Sequence, residues 1–164
     1  MLTEAMKAYR EGRHPETQAL CRHVLKDFPN HFDALHLLGA SEADCGRYED
    51  SLAALMRAVS IEPRSAETQF KLGMTLFRLK RHSEARTCQE KAVALKPNFP
   101  AALTNLGNTL MQMRLFEQAI GAHDRAIALK PDYAEAHCNR GMALLLLNRH
   151  EEADQNFDRA LLFD

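Results

Sequence analysis

Residues 63–97 read PRSAETQFKLGMTLFRLKRHSEARTCQEKAVALKP, and this stretch decides the fold. Two prolines bound it, Pro63 and Pro97, 34 residues apart, and the interval recurs at Pro29 and Pro131. Gly73 lies inside it and recurs with the same period at Gly39, Gly107 and Gly141. Gly12 and Gly46 share a second phase, so six of the seven glycines fall into two phases of one clock. Alanine follows at Ala58, Ala92, Ala126 and Ala160, and nearly so at Ser51, Ala85, Ala119 and Ala153. Three signals of different chemical type agree on one period, which marks a repeat protein.

Within each period the apolar residues have helical spacing. Leu35, Leu38 and Gly39 are followed by Leu52, Leu55, Ala58 and Val59, which predicts two amphipathic helices per repeat. A glycine in mid-helix costs about 1 kcal/mol relative to alanine, so four in phase need a packing reason. The expected reason is close approach of two helices where neither carries a bulky side chain, with the in-phase alanines as the matching small faces. Proline lacks an N–H and restricts the residue before it, so each proline ends a second helix and starts a turn. The segments between the two helices are polar, as in Gly46-Arg47-Tyr48-Glu49-Asp50 and Asn148-Arg149-His150-Glu151-Glu152. Their acidic residues open the second helix, where they suit the positive end of its dipole.

These features resemble the tetratricopeptide repeat. That family has a 34-residue period, a small residue at position eight, alanines at twenty and twenty-seven, and a proline near the end. With each proline at position 32, repeats cover 32–65, 66–99 and 100–133; residues 134–164 form another, and 1–31 an incomplete first one. The resemblance spans the chain. It implies a single all-α array, a right-handed solenoid of about five stacked helix-turn-helix units, with the first helices lining the concave side. First helices are expected near 1–11, 32–45, 66–79, 100–113 and 134–147, and second helices near 15–27, 49–61, 83–95, 117–129 and 151–163. Departures from the pattern are local. Leu35, Gln69, Leu103 and His137 replace the usual aromatic at position four. Glu42 stands where Leu76, Leu110 and Leu144 stand, and Arg140 where Leu38, Leu72 and Leu106 stand. Looser packing is expected near Glu42 and Arg140.

Composition narrows the function classes. Apolar residues make up 46% of the 164 and charged residues 26%, as in a soluble folded protein. The 21 basic and 22 acidic side chains nearly cancel, so no global field exists to hold nucleic acid or an anionic membrane. The longest uncharged apolar run, Met142 to Leu147, is far too short to span a bilayer. The N-terminus lacks the apolar core of a secretory signal. Cys21, Cys45, Cys88 and Cys138 form no CxxC pair and read as reduced thiols filling small apolar gaps in a cytoplasmic protein. Of the eight histidines, His14, His82 and His150 share repeat position 17, and equivalent positions of separate repeats do not converge on one ion. With no HExxH pair, no phosphate-binding loop and no GxSxG elbow, neither a metal, a cofactor nor catalysis is expected.

The resemblance places ligand contacts at repeat positions 2, 5, 6, 9, 12 and 13. In the second repeat these are Asp33, His36, Leu37, Ala40, Ala43 and Asp44, and in the third Glu67, Phe70, Lys71, Met74, Phe77 and Arg78. The fourth supplies Ala101, Thr104, Asn105, Asn108, Met111 and Gln112, and the fifth Glu135, Cys138, Asn139, Met142, Leu145 and Leu146. An asparagine amide donates and accepts, so it can hold an extended peptide backbone without reading sequence. Methionine and phenylalanine supply adaptable apolar contact. The candidate peptide-binding residues are therefore Asn105, Asn108, Asn139 and Gln112, with Lys71 and Arg78 as charge contacts and Phe70 and Met74 as apolar ones. The family's clamp for a C-terminal carboxylate is not expected, because Thr104 occupies its lysine position.

Two functions follow as expectations. The first is a protein-interaction scaffold that holds a peptide or partner segment in its groove. The second rests on Pro131-Asp132-Tyr133-Ala134-Glu135-Ala136-His137-Cys138-Asn139-Arg140-Gly141, which resembles the repeats preceding the catalytic region of O-linked N-acetylglucosamine transferases and their SPINDLY-type relatives. Those repeats carry a ladder of asparagines at position six, matched by Asn105 and Asn139 but not by Leu37 and Lys71. The chain starts inside a helix and stops after Leu161, Leu162 and Phe163 without a polar capping helix. A solenoid needs polar caps, so a longer protein or self-association through the ends is expected.

Overall fold

A computed structural model describes residues 1–163. Asp164, the last residue assigned to the fifth repeat, lies outside the described residues. Ten helices and no strand are found among the described residues. First helices are α1 (Leu2–Arg10), α3 (Phe32–Asp44), α5 (Ala66–Arg78), α7 (Pro100–Gln112) and α9 (Ala134–Leu146). Second helices are α2 (His14–Asp27), α4 (Tyr48–Ile61), α6 (His82–Leu95), α8 (Phe116–Leu129) and α10 (His150–Leu162). These bounds lie within about a residue of those expected, so His82 and His150 open helices instead of lying in turns.

The residues form two compact units, one spanning Met1–Arg81 and the other beginning at His82. In the first, α1 pairs with α2 and α3 with α4, while α5 packs on α4 and α3. In the second, α6 packs on α7, α7 pairs with α8, and α9 pairs with α10 and rests on α8 and α7.

The second glycine phase is explained at the turns. Position 15 takes a left-handed backbone in every repeat: Gly12 at φ 71°, Gly46 at 76°, Lys80 at 60°, Arg114 at 62° and Asn148 at 59°. There the chain makes paired hydrogen bonds that stop the first helix, such as Gly46 N to the Ala43 carbonyl and Arg47 N to the Glu42 carbonyl, each 2.9 Å. Glycine adopts this conformation without steric cost, whereas Lys80 and Arg114 adopt it against their own preference.

The position-eight glycines play a different role from the one expected. At Gly39, Gly107 and Gly141 no small face opposes them. A Cβ built on Gly39 would lie 2.6 Å from Leu55 Cγ, on Gly107 2.4 Å from the His123 ring, and on Gly141 2.7 Å from the Phe157 ring. Leu55, His123 and Phe157 all occupy position 24. The missing glycine side chain is thus replaced by a large one from the second helix, and the in-phase alanines are simply buried beside it.

The expected loosening at Glu42 does not occur. Its carboxylate is 1% exposed and is met by Arg22 of α2 and Arg47 at the start of α4. A buried charge held by two guanidinium groups ties three helical segments together. Arg140 reaches outward to Asp124, 2.6 Å away, so its charge leaves the core. The polar residues at position four also find partners: Gln69 Nε2 donates to the Pro63 carbonyl at 3.2 Å, and His137 Nε2 bonds the Pro131 carbonyl at 2.8 Å. The expectation for the cysteines holds for Cys21, which is buried, and fails for Cys45 and Cys138, which are exposed. Cys138 lies on the accessible side of α9, and Cys45 caps the C-terminus of α3.

Two outcomes follow from this packing. Gly39→Ala should destabilise the protein by about 1–3 kcal/mol, because Leu55 is fully buried and cannot withdraw. Gly121→Ala, where a Cβ meets nothing within 4 Å, should stabilise it by roughly 0.5–1 kcal/mol. Urea unfolding of both variants checks the contrast. The second outcome concerns His123, whose ring is fully buried with neither nitrogen hydrogen-bonded. Of the elements on α8, α7 carries no charged residue, and Arg140 of α9 with neighbouring Asp124 are the nearby charges. Burial, the largest cause, pushes the imidazole pKa down to about 4 from 6.5. Folding therefore favours the neutral ring. Its contribution to stability is complete above about pH 6.5 and is lost as pH falls toward 4. His123→Leu, copying position 24 of the second repeat, should remove that fraction of the pH dependence of unfolding between pH 7 and 4.

Candidate functional site

In the first unit the accessible faces of α1, α3 and α5 are linked by one chain of polar contacts. Tyr9 Oη donates to Asp44 Oδ2 at 2.7 Å, and Lys71 Nζ donates to Tyr9 Oη at 3.5 Å. Burial first, and then the Asp44 carboxylate, hold the Tyr9 phenol above its ordinary pKa, so it remains a donor near neutral pH. Beside this chain lies a pocket of about 240 Å³ lined by Asp44, Tyr48, Lys71, Met74 and Arg78, among others. Lys71, Met74 and Arg78 are three and four residues apart, and so share one face of α5. Three of the candidate residues thus line one pocket; Phe70 is half-buried on α5 and is not part of that lining.

Two other positions of this unit depart from the expected groove. Leu37 and Ala40 are buried. Leu37 belongs to a core cluster with Ala5 and Cys21, against which Tyr9 and Leu20 pack, so α1 covers what the repeat phase alone left open. His36 is partly covered as well: its Nδ1 lies 2.9 Å from Thr68 Oγ1, and its ring stacks near Phe32. Burial, then the Lys71 charge, lowers its pKa.

Tyr9 and Tyr48 were not among the candidates. Tyr9 is position 12 of the incomplete first repeat, the phase of Ala43, Phe77 and Met111, so extending the groove positions into that repeat would have found it. Tyr48 opens a second helix, and only the packed hairpin brings it to the pocket.

In the second unit Asn105, Asn108 and Gln112 share one face of α7 at the same three- and four-residue spacing. Asn139 occupies on α9 the phase that Asn105 occupies on α7, and these two helices pack together. Asn105, Asn108 and Asn139 are half-buried and Gln112 is exposed. Among the described residues the three asparagine side chains make no hydrogen bond, and none of their amide atoms is sealed from solvent. Their donors and acceptors therefore face water. Thr104, a groove position by phase, is buried instead. Beyond the amides α9 presents Met142, Leu145 and Leu146, which are 47%, 40% and 54% exposed. Apart from Glu135, positions 2, 5, 6, 9, 12 and 13 of these two repeats carry no charge. Tyr133 at the head of α9 donates to Glu135 Oε2 at 2.9 Å, and burial, followed by that carboxylate, pushes its pKa up to about 12.

Among the described residues no group of three or more His, Cys, Asp or Glu side chains could hold a metal, and no helix is long and apolar enough to cross a membrane.

Family models described as tetratricopeptide repeat match residues 30–98 and 104–162. The chain belongs to the tetratricopeptide repeat family. Among solved structures it is similar to "Crystal structure of MamA", with 27% identity, a TM-score of 0.89, and coverage of 97% of this chain and 93% of that one. "MamA 41-end from Desulfovibrio magneticus RS-1" matches with 20% identity and a TM-score of 0.90 over 98% of this chain and 91% of that one. At that identity the second match speaks for the fold alone. No curated protein matches the sequence. Repeat family and structural neighbours together support a protein-interaction scaffold built as an all-α helical solenoid, a class that is generally non-enzymatic.

Proposed function

We propose that the chain binds an extended segment of a partner protein along the ligand-facing sides of its first helices. The observation that carries this reading is the set of uncommitted amides at Asn105, Asn108 and Asn139. Each can both donate to a backbone carbonyl and accept from a backbone N–H, which suits an extended chain whose own groups are unpaired. Met74 on α5, and Met142 with Leu145 on α9, add apolar contact that adapts to different side chains. Gln112 extends the amide row, and Phe70 adds a partly accessible ring. Such a scaffold works in the cytoplasm in this reading. The asparagines at position six are also what favours the glycosyltransferase-arm reading, in which the same face would hold substrate protein for a catalytic region. The act performed by this chain is the same in both.

The test is selection of dodecapeptides from a random display library on the intact chain. An Asn105→Ala, Asn139→Ala double variant should bind the selected peptides about tenfold more weakly, since hydrogen bonds contribute about 1 kcal/mol each. Unaltered affinity in a folded double variant contradicts the reading.

A second reading, self-association, is favoured by a separate observation: Leu161 and Leu162 at the end of α10 are each 77% exposed. Such residues cluster at interfaces when they occur together. Light scattering at rising concentration should show a dimer or larger species that Leu161→Glu, Leu162→Glu dissolves; a monomer throughout would sink it.

A further inference from the structure

The pocket of the first unit has a chemistry that the amide row lacks. Lys71 offers three ammonium hydrogens and donates one of them to Tyr9 Oη. Arg78 offers five N–H donors, is exposed, and makes no hydrogen bond or ion pair among the described residues. Both point along the same face of α5, with Met74 between them. The carboxylate in the pocket, Asp44, is already engaged by the Tyr9 hydroxyl at 2.7 Å. That bond also holds Tyr9 as a donor, so Asp44 orients the phenol, which in turn accepts from Lys71. Two cations therefore face one committed carboxylate.

Size and surroundings limit what can enter. About 240 Å³ lies below the range of a small-molecule site and accommodates one or two side chains. The walls include the apolar Met74 and Ala43 and the ring of Tyr48. The chain as a whole carries a net charge of −1, so it has no general attraction for polyanions such as nucleic acid.

We propose that this pocket is an acid-reading subsite: it takes a glutamate or aspartate side chain of the bound segment between Lys71 and Arg78, with a neighbouring apolar side chain of that segment on Met74. This deepens the peptide-binding reading and rests on it. Guanidinium can grip the carboxylate through two parallel hydrogen bonds, while the ammonium adds a point charge. The Tyr9–Asp44 pair acts as a positioning device for Lys71; Asp44 keeps its negative charge, and the two cations outnumber it.

The test uses the same random dodecapeptide display on the full chain, followed by fluorescence anisotropy on one labelled selected peptide and its Glu→Gln, Asp→Asn counterpart at physiological salt. Selected sequences should be enriched in an acidic residue beside an apolar one. The acidic peptide should bind at least tenfold more tightly than its amide counterpart. Lys71→Met, Arg78→Met should abolish that preference, so that the acidic peptide and its amide counterpart bind with equal affinity. Tyr9→Phe should weaken the acidic peptide alone. Inorganic tripolyphosphate should not displace the peptide at equimolar concentration. Peptides selected without acidic enrichment, or an acidic preference that survives the double variant, overturn the subsite and leave the groove reading standing. Displacement by equimolar tripolyphosphate also overturns it, in favour of a general anion site. If no peptide is selected, the groove reading fails and the subsite falls with it.

Discussion

Everything in this fold depends on a glycine in the first helix of a repeat and the large side chain that fills its place. Gly39 receives Leu55, Gly107 receives His123 and Gly141 receives Phe157, at separations that leave no room for even one added carbon. A helix pair locked in this way has its buried faces fully determined. Part of the remaining face of the first helices stays accessible, and there Lys71, Arg78, Asn105, Asn108 and Asn139 appear. The clamp accepts an aliphatic, an imidazole and a phenyl group, because what it needs is volume against the glycine Cα. His123 fills that volume with two unsatisfied nitrogens.

The same tolerance explains how a carboxylate came to lie in the core. Glu42 replaces a leucine, yet Arg22 and Arg47 bring two charges to it from neighbouring helices. Removing either arginine leaves a buried charge short of a partner, which is costly, whereas replacing all three residues by apolar ones need not be. The substitution therefore fixes how α2, α3 and α4 meet, and its value lies in that registration.

Much of this was legible in the sequence, because a period is a local property that repetition amplifies. Prolines, glycines and alanines gave every residue a phase, and the phase gave helix bounds to within about a residue. What phase could not give is coverage. Leu37 and Ala40 have groove phase but are covered, and α1 packs on Leu37, while Thr104 is buried at position five, where Phe70 is half-buried and Cys138 exposed. Nor could phase show that Tyr9, Asp44 and Lys71 meet, since they lie in three different repeats. The face opposite Gly39, Gly107 and Gly141 differs from expectation for a related reason: two small residues in step suggest a thin contact, whereas position 24 varies in type and so carries no periodic signal. Only the packed hairpin shows that its bulk belongs over the glycine.

The central claim is that repeat phase divides this chain into residues that hold the fold and residues that hold a ligand. The most direct measurement is a ¹⁵N NMR titration of the chain with a peptide selected by display. The account predicts that the side-chain amides of Asn105, Asn108 and Asn139 shift on binding, while the backbone amides of Gly39, Gly107 and Gly141 do not. Shifts confined to the outer faces of α8 and α10, at residues such as Gln118 and Asp158, would contradict it.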